Sequence, residues 1–335
     1  MEKKRILLIG TGGTIASRKG VNGLCPQIET SELLNYVPDV KNFADTDALE
    51  LLNLDSTNMQ PEHWLKMASC IEEHFSDYDG FVICHGTDTM AYTASALSYL
   101  IQDSPKPIVI TGAQKPIDLD VTDARTNLTD SIRFAACPKA YGVTIVFDGK
   151  VIAGTRARKE RTHSYNAFSS INFPYPAVIQ DEKIIFYIDD KKDMPASVKF
   201  YHALDKQVGL LKLIPSMDAI VLDFMAGHYD AVIIESFGVG GLPTDRDMDF
   251  SRVLSRWIDA GKVIVMTTQV PLEGSDMSVY EVGKIISKNR GLIEACDMTL
   301  ESIVTKLMWI LAQTREPEKV SSLFHKTINK DTLWQ

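Results

Sequence analysis

Apolar runs that end in glycine turns set the rhythm of this chain. Arg5-Ile-Leu-Leu-Ile-Gly10 breaks into Thr11-Gly-Gly-Thr14, Gly80-Phe-Val-Ile-Cys-His85 into Gly86-Thr-Asp-Thr89, and Pro107-Ile-Val-Ile-Thr111 into Gly112. A strand that is apolar at every position is covered on both faces, which points to a parallel sheet. Between the runs the period changes. Trp64, Met67, Ala68, Ile71 and Phe75 recur at spacings of three and four behind Pro61, a good first helical residue. Ala91, Ala94, Leu97 and Ile101 predict a second helix, Asp123–Ala136 a third, and Val143–Phe147 a further strand with Val151–Thr155 pairing nearby. Such β-α-β alternation marks an α/β domain.

After Ile184–Ile188 comes Asp189-Asp-Lys-Lys-Asp-Met-Pro195, charged and bounded by proline, which reads as a linker. The second half repeats the pattern on a smaller scale. Strands are predicted at Gly209–Leu213, Ala219–Phe224, Ala231–Glu235 and Val263–Thr267, with helices at Asp249–Ala260, Val279–Lys288 and Leu300–Gln313. A length of 335 residues exceeds what one core usually holds. The expected organisation is two α/β domains: a larger N-terminal catalytic one at 1–188 with a mainly parallel sheet, a linker at 189–206, and a smaller one at 207–335.

Charge narrows the function classes. Lys and Arg total 35 against 44 Asp and Glu, a formal net charge of -9, which argues against a nucleic-acid binder. Five scattered cysteines form no CxxC and no zinc-like spacing with histidine, so reduced thiols are expected and no metal. The basic start Met1-Glu-Lys-Lys-Arg5 precedes only four apolar residues, too few for a signal peptide, and no stretch approaches a membrane span. A soluble cytoplasmic protein without membrane partners is the expectation.

Four segments concentrate small polar side chains. Thr11-Gly-Gly-Thr14 follows a strand but lacks the G-x-G-x-x-G spacing, and Glu29 and Glu32 sit in no obvious strand, so a dinucleotide site is disfavoured. A tight turn that needs glycines explains it as well as a site does. His85-Gly-Thr-Asp-Thr89 crowds a helix N-terminus, where free N–H groups and the dipole favour anions. One residue suffices for a cap; Thr-Asp-Thr exceeds that need, whereas His85 reads as a core histidine. Arg156-Ala-Arg-Lys159-Glu-Arg-Thr162 is a solvated face on charge alone, yet a lysine desolvated beside a carboxylate and a threonine is a usable base. Asp55-Ser-Thr-Asn-Met59 is either a turn and cap or a binding loop.

Together these segments resemble the bacterial-type L-asparaginase family, closest to its cytoplasmic type I members. Thr11-Gly-Gly-Thr-Ile15 is similar to the first signature of that family and His85-Gly-Thr-Asp-Thr89 to the second, in order and about seventy residues apart. The likeness extends through Thr111-Gly-Ala-Gln114, Asp123 to Asn127, Asn166-Ala-Phe-Ser-Ser170, Gly238-Val-Gly240 and Asp297-Met-Thr-Leu-Glu301, nearly the whole chain. The resemblance implies two α/β domains, the smaller one Rossmann-like, and hydrolysis of L-asparagine to L-aspartate and ammonia without a cofactor or metal. It implies Thr14 as nucleophile under a mobile lid at Arg18–Pro26, with Thr87, Asp88 and Lys159 as a second triad. Ser56 and Thr57 would grip the substrate, and backbone N–H groups near Thr87 or Ala113 would receive the oxyanion.

The resemblance also implies a homodimer or a dimer of dimers, with Tyr280 and Glu281 as candidate contributors across the interface. Asparagine and glutamine differ by one methylene, roughly 1–3 kcal/mol in a pocket, so weak glutaminase activity is compatible with a preference for asparagine. Three departures stand out. No tyrosine lies between Thr14 and Ser31, where many secreted relatives use one. Glu235 stands before Ser236-Phe-Gly, where an allosterically activated relative carries arginine, so the resemblance leaves activation by asparagine open. The related archaeal tRNA-dependent amidotransferase has an extra N-terminal domain, for which a first strand beginning at Arg5 leaves no room. The competing readings are a catalytically silent amino-acid-binding regulator and a nucleotide-dependent oxidoreductase.

Overall fold

The computed structural model describes residues 3–20, 23–191, 197–243, 250–279 and 292–334. The chain divides into two compact units, Met1–His202 and Ala203–Gln335.

In the first unit the apolar runs become strands of one eight-stranded sheet. They are β1 (Lys4–Gly12), β2 (Ala44–Leu54), β3 (Gly80–Cys84), β4 (Pro107–Thr111), β5 (Gly142–Phe147), β6 (Lys150–Ala153), β7 (Ala177–Gln180) and β8 (Lys183–Phe186). Their order is β8-β7-β6-β5-β4-β3-β1-β2. Every pairing from β5 to β2 is parallel, and the three beyond β5 are antiparallel. β3 and β4 are buried at every residue, as continuous apolar sequence requires. Helices α1 (Pro61–Glu73), α2 (Met90–Leu100) and α3 (Ala124–Ala135) match the predicted periodicities. Val151–Ala153 does pair nearby, antiparallel to β5.

The strand order reverses at β1. The chain runs from β1 to β2 on one side and returns to β3 on the other, which opens a crevice beyond the carboxyl ends of β1 and β3. That is where the Thr14 and Thr87 loops emerge.

In the second unit β9 (Val208–Lys212), β10 (Ala231–Ser236), β11 (Val263–Thr268) and β12 (Leu292–Glu294) form a parallel sheet in chain order. Helices α4 (Ile220–Ala226), α5 (Phe250–Asp259), α6 (Leu300–Leu311) and α7 (Pro317–His325) accompany it. Ala219–Phe224, expected as a strand, is instead the start of α4. Ala219, Leu222 and Met225 are buried at a spacing of three, whereas Ile220 and Phe224 are 68% and 70% exposed. Those two exposed apolar residues fill the gaps in the helical period and make the run look uniformly buried. The helix expected at Val279–Lys288 lies outside the described residues beyond Val279, as do Tyr280 and Glu281.

The boundary between the units falls within the segment expected as a linker. Lys199–Phe200 pairs antiparallel with Ile101–Gln102, so part of that segment is built into the first unit. No helix among the described residues is long and apolar enough to cross a membrane.

Candidate active site

Three glycines bring three loops into close contact. A Cβ on Gly12 would stand 2.5 Å from the Leu54 carbonyl oxygen, one on Gly13 would stand 2.4 Å from the Gly86 nitrogen, and one on Gly86 would stand 2.6 Å from Ser56 Oγ. Gly12 and Gly13 also have φ of 93° and 80°, which a side chain disfavours. The glycines of Thr11-Gly-Gly-Thr14 therefore serve close approach as well as the turn. The result is a small cavity of about 70 Å³ lined by Gly13, Thr14, Ser17, Asp55, Ser56, Gly86, Thr87 and Asp88.

Each side chain has a local reason for its place. Thr14 opens a short 3-10 turn, Thr14–Ala16, directly after β1, and Ser17 Oγ donates to the Gly13 carbonyl at 2.9 Å. Ser56 is buried, its carbonyl accepts from Thr89 Oγ1 (2.8 Å), and its Oγ accepts from the Asp88 N–H (3.3 Å). Asp55 caps the turn Ser56–Asn58 by accepting from the Thr57 N–H and hydroxyl, both at 2.9 Å.

Lys159 arrives on a short hairpin, Ala157–Lys159 against Phe168–Ser170, which has no counterpart among the elements expected from sequence. Its Nζ donates to Thr87 Oγ1 at 2.8 Å and to Asp88 Oδ1 at 2.6 Å. Thr87 is buried and Asp88 half-exposed. The Thr87 hydroxyl donates in turn to Gln114 Oε1 (3.4 Å), and Gln114 Nε2 donates to the Ser164 carbonyl (3.1 Å). Gln114 thus ties the β4 loop to the loop beyond Lys159. Its own N–H is fixed on the Asp123 carboxylate.

His85 lies behind the cavity, fully buried, and burial pulls its imidazole down to about 4. A carbonyl only accepts, so the proton sits on Nδ1, which donates to the Gly86 carbonyl at 2.7 Å. Nε2 then accepts from the Thr93 hydroxyl (2.9 Å), which accepts from Trp64 Nε1 (2.9 Å). This chain holds the Gly86 carbonyl inward. Across a trans peptide it turns the Thr87 N–H the opposite way.

The structure therefore brings Thr14, Ser56, Thr87 and Asp88 to one cavity and joins Lys159 to them through Thr87 and Asp88. It does not place Thr57 or Ala113 among the lining residues: Thr57 is exposed and engaged by Asp55, and Ala113 is buried in the hydrophobic core. Sequence reasoning missed Asp55, Ser17 and Gln114 as site residues. Asp55 had a signal, since it opens the same polar segment as Ser56. The expected lid is a hairpin, Ser17–Gly20 against Gly23–Pro26, whose far base is tied down where the Gln27 and Ile28 N–H groups both donate to the Ala16 carbonyl at 2.9 Å.

The chain matches the asparaginase N-terminal family model over residues 5–192 and the glutaminase/asparaginase C-terminal domain model over residues 207–324. It is 36% identical to an L-asparaginase of Thermococcus kodakarensis, covering 97% of this chain and 98% of that one. The solved structure of the thermostable L-asparaginase from that organism superimposes with a TM-score of 0.91 at 35% identity, over 99% of this chain and 100% of that one. L-asparaginase 1 of Escherichia coli K12 is 32% identical over 96% of this chain and 95% of its own length. A glutamyl-tRNA(Gln) amidotransferase polypeptide of Pyrococcus furiosus is 35% identical over 94% of this chain but only 74% of its own length. Matched along both units, with type I L-asparaginases among its relatives, the chain belongs to the asparaginase family and is an amidohydrolase.

Proposed function

We propose that this enzyme hydrolyses the side-chain amide of L-asparagine to L-aspartate and ammonia, with Thr14 as nucleophile. One observation carries the reading: Lys159 Nζ stands 2.8 Å from Thr87 Oγ1 and 2.6 Å from Asp88 Oδ1, beside a cavity that Thr14 also lines. A threonine hydroxyl attacks an amide poorly unless a base or a fixed field assists it. Here that field comes from the Lys159 ammonium group, fixed between Thr87 and Asp88.

Thr14 Oγ1 bonds to the amide carbon and the carbonyl oxygen takes the negative charge. The Thr87 N–H, on the far side of its peptide from the inward Gly86 carbonyl, is the donor assigned to that oxygen. Collapse expels the amide nitrogen, which leaves as ammonia after taking a proton, and an ester to Thr14 remains. Water then attacks the ester and Thr14 recovers its proton, with Thr87 and Lys159 relaying protons. Asp88 is left to hold the substrate ammonium, with Asp55 as a second carboxylate at the cavity wall, while Ser56 engages the α-carboxylate.

Ammonia release from asparagine and glutamine, assayed side by side on the purified protein, tests the reading. Turnover of asparagine is expected with little or none of glutamine, and Thr14→Ala and Thr87→Ala should each remove most of it while the fold survives. Near-native activity in Thr87→Ala would overturn the second triad, and binding of asparagine without turnover would overturn the reaction. The same reading makes the protein a cytoplasmic homodimer or dimer of dimers that needs no nucleic acid, membrane or cofactor.

A further inference from the structure

Thr87 Oγ1 has two hydrogen-bond partners among the described residues, Lys159 Nζ at 2.8 Å and Gln114 Oε1 at 3.4 Å. They make opposite demands on it. An ammonium group only donates, so Lys159 meets a lone pair of the hydroxyl. An amide oxygen only accepts, so Gln114 takes the hydroxyl proton. At 3.4 Å this contact is a weak tie, yet a hydroxyl rotates freely and the acceptor decides where its proton points.

The Gln114 amide is held in that orientation. Its Nε2 donates to the carbonyls of Ser164 (3.1 Å) and Arg161 (3.4 Å), and neither could donate to an oxygen put in its place. The backbone behind it is fixed too. The Gln114 and Lys115 N–H groups donate to Asp123 at 2.9 Å and 3.1 Å. Asp123 is buried and accepts from Asn127 Nδ2 (3.2 Å), which also donates to the Gly112 carbonyl (3.0 Å). A hydroxyl has one proton and two lone pairs. With the proton on Gln114 and one lone pair on Lys159, the second lone pair is left for the cavity that Thr87 lines. Thr87 Oγ1 therefore faces its ligand as an acceptor.

We propose that Gln114 is a positioning residue that makes the site select a primary amide over a carboxylate, and so the substrate over its own product. The inference rests on the asparagine reading above. A side-chain amide offers N–H donors beside a carbonyl oxygen, and Thr87 answers with an acceptor at Oγ1 and a donor at its N–H. The carboxylate of aspartate offers acceptors alone, so one of its oxygens meets the Thr87 lone pair. A site built to hydrogen-bond one group rejects the analogue that leaves it unpaired. Gln114 does not line the cavity and acts through Thr87. Without its oxygen the Thr87 proton is free to turn inward, against an amide N–H and towards a carboxylate.

Steady-state ammonia release with L-aspartate as inhibitor tests this. In Gln114→Met the KM for asparagine should rise and the inhibition constant for aspartate should fall. The ratio of the second constant to the first should drop by roughly tenfold or more, the worth of one hydrogen bond lost and another gained. Gln114→Glu keeps the acceptor and loses both donors, so it should hold the wild-type ratio even where loop 161–164 loosens. General damage to the site weakens both ligands together and leaves the ratio in place. An unchanged or raised ratio in Gln114→Met would overturn the proposal, as would a Gln114→Glu ratio that drops with it. Should Gln114→Met fail to fold, Gln114→Asn, which draws the acceptor back by one methylene, is read in the same way. Wild-type protein that releases no ammonia from asparagine sinks the functional reading and this inference with it; an active wild type with an unmoved ratio in the variant sinks the inference alone.

Discussion

Replacing Lys159 by methionine separates catalysis from stability at this site. The substitution removes two contacts, at 2.8 Å to Thr87 Oγ1 and at 2.6 Å to Asp88 Oδ1, and keeps most of the aliphatic stem. Asp88 is 56% exposed and Lys159 17%, so the ion pair is screened on one side. A pair of that kind contributes at most about 1 kcal/mol to folding. The cost to the reaction is larger. A preorganised donor beside developing charge is worth roughly 10²–10³ in kcat, or about 2.7–4 kcal/mol. Steady-state ammonia release should therefore show kcat lower by about a hundredfold or more, with KM little changed because the substrate grips remain. Urea unfolding of the same sample should move by less than about 1 kcal/mol. A folded variant with kcat within tenfold of wild type would refute the reasoning, as would a loss of stability large enough to explain the lost activity. Lys159→Arg should not rescue the enzyme, since a planar fork cannot replace a compact ammonium between two acceptors.

Three further outcomes are expected. Gly13→Ala puts a Cβ 2.4 Å from the Gly86 nitrogen at a φ of 80°, so it should cost about 1–3 kcal/mol in urea unfolding and open the cleft; wild-type stability and activity would contradict the three-loop contact. His85 titrates near 4 when folded and near 6.5 when unfolded, so the unfolded chain binds more protons between these values. Its contribution, roughly 3 kcal/mol, is full above pH 6.5 and lost as the pH falls towards 4, and His85→Gln should flatten that part of the stability profile. Lys306 and Asp331 form a fully buried pair at 2.6 Å in the second unit; Lys306→Met removes the ammonium from the buried carboxylate and should cost about 3–5 kcal/mol, and a change under about 1 kcal/mol would show the pair to be dispensable.

Much of this fold was legible because its strands are buried on both faces. Residues 6–9, 81–84 and 108–110 are apolar without interruption, and all are buried strand positions. The amphipathic α1 was equally plain, since Trp64, Met67, Ala68 and Ile71 recur at helical spacing. What failed was the short element. Ala219–Met225 hid its period behind exposed Ile220 and Phe224, and the three-residue strand that delivers Lys159 is too short to leave any pattern. The same contrast holds in the site. Thr87 and Asp88 stood out because more polar residues crowd the helix start than a cap requires. Gln114 did not, because its role depends on Ser164 fifty residues away meeting it in space. Ala113 and Thr57 came from the family pattern; the Ala113 side chain packs in the core and the Thr57 hydroxyl bonds to Asp55, whereas the role expected near Ala113 belongs to backbone N–H groups.

That two hydroxyl-bearing loops address one amide carbon is tested most directly by a crystal structure with the product L-aspartate bound. Its side-chain carboxyl carbon should lie in the cavity of Thr14, Ser56, Thr87 and Asp88, within roughly 3–3.5 Å of both Thr14 Oγ1 and Thr87 Oγ1. Aspartate bound with either hydroxyl turned away from that carbon, or bound at another place, would contradict it.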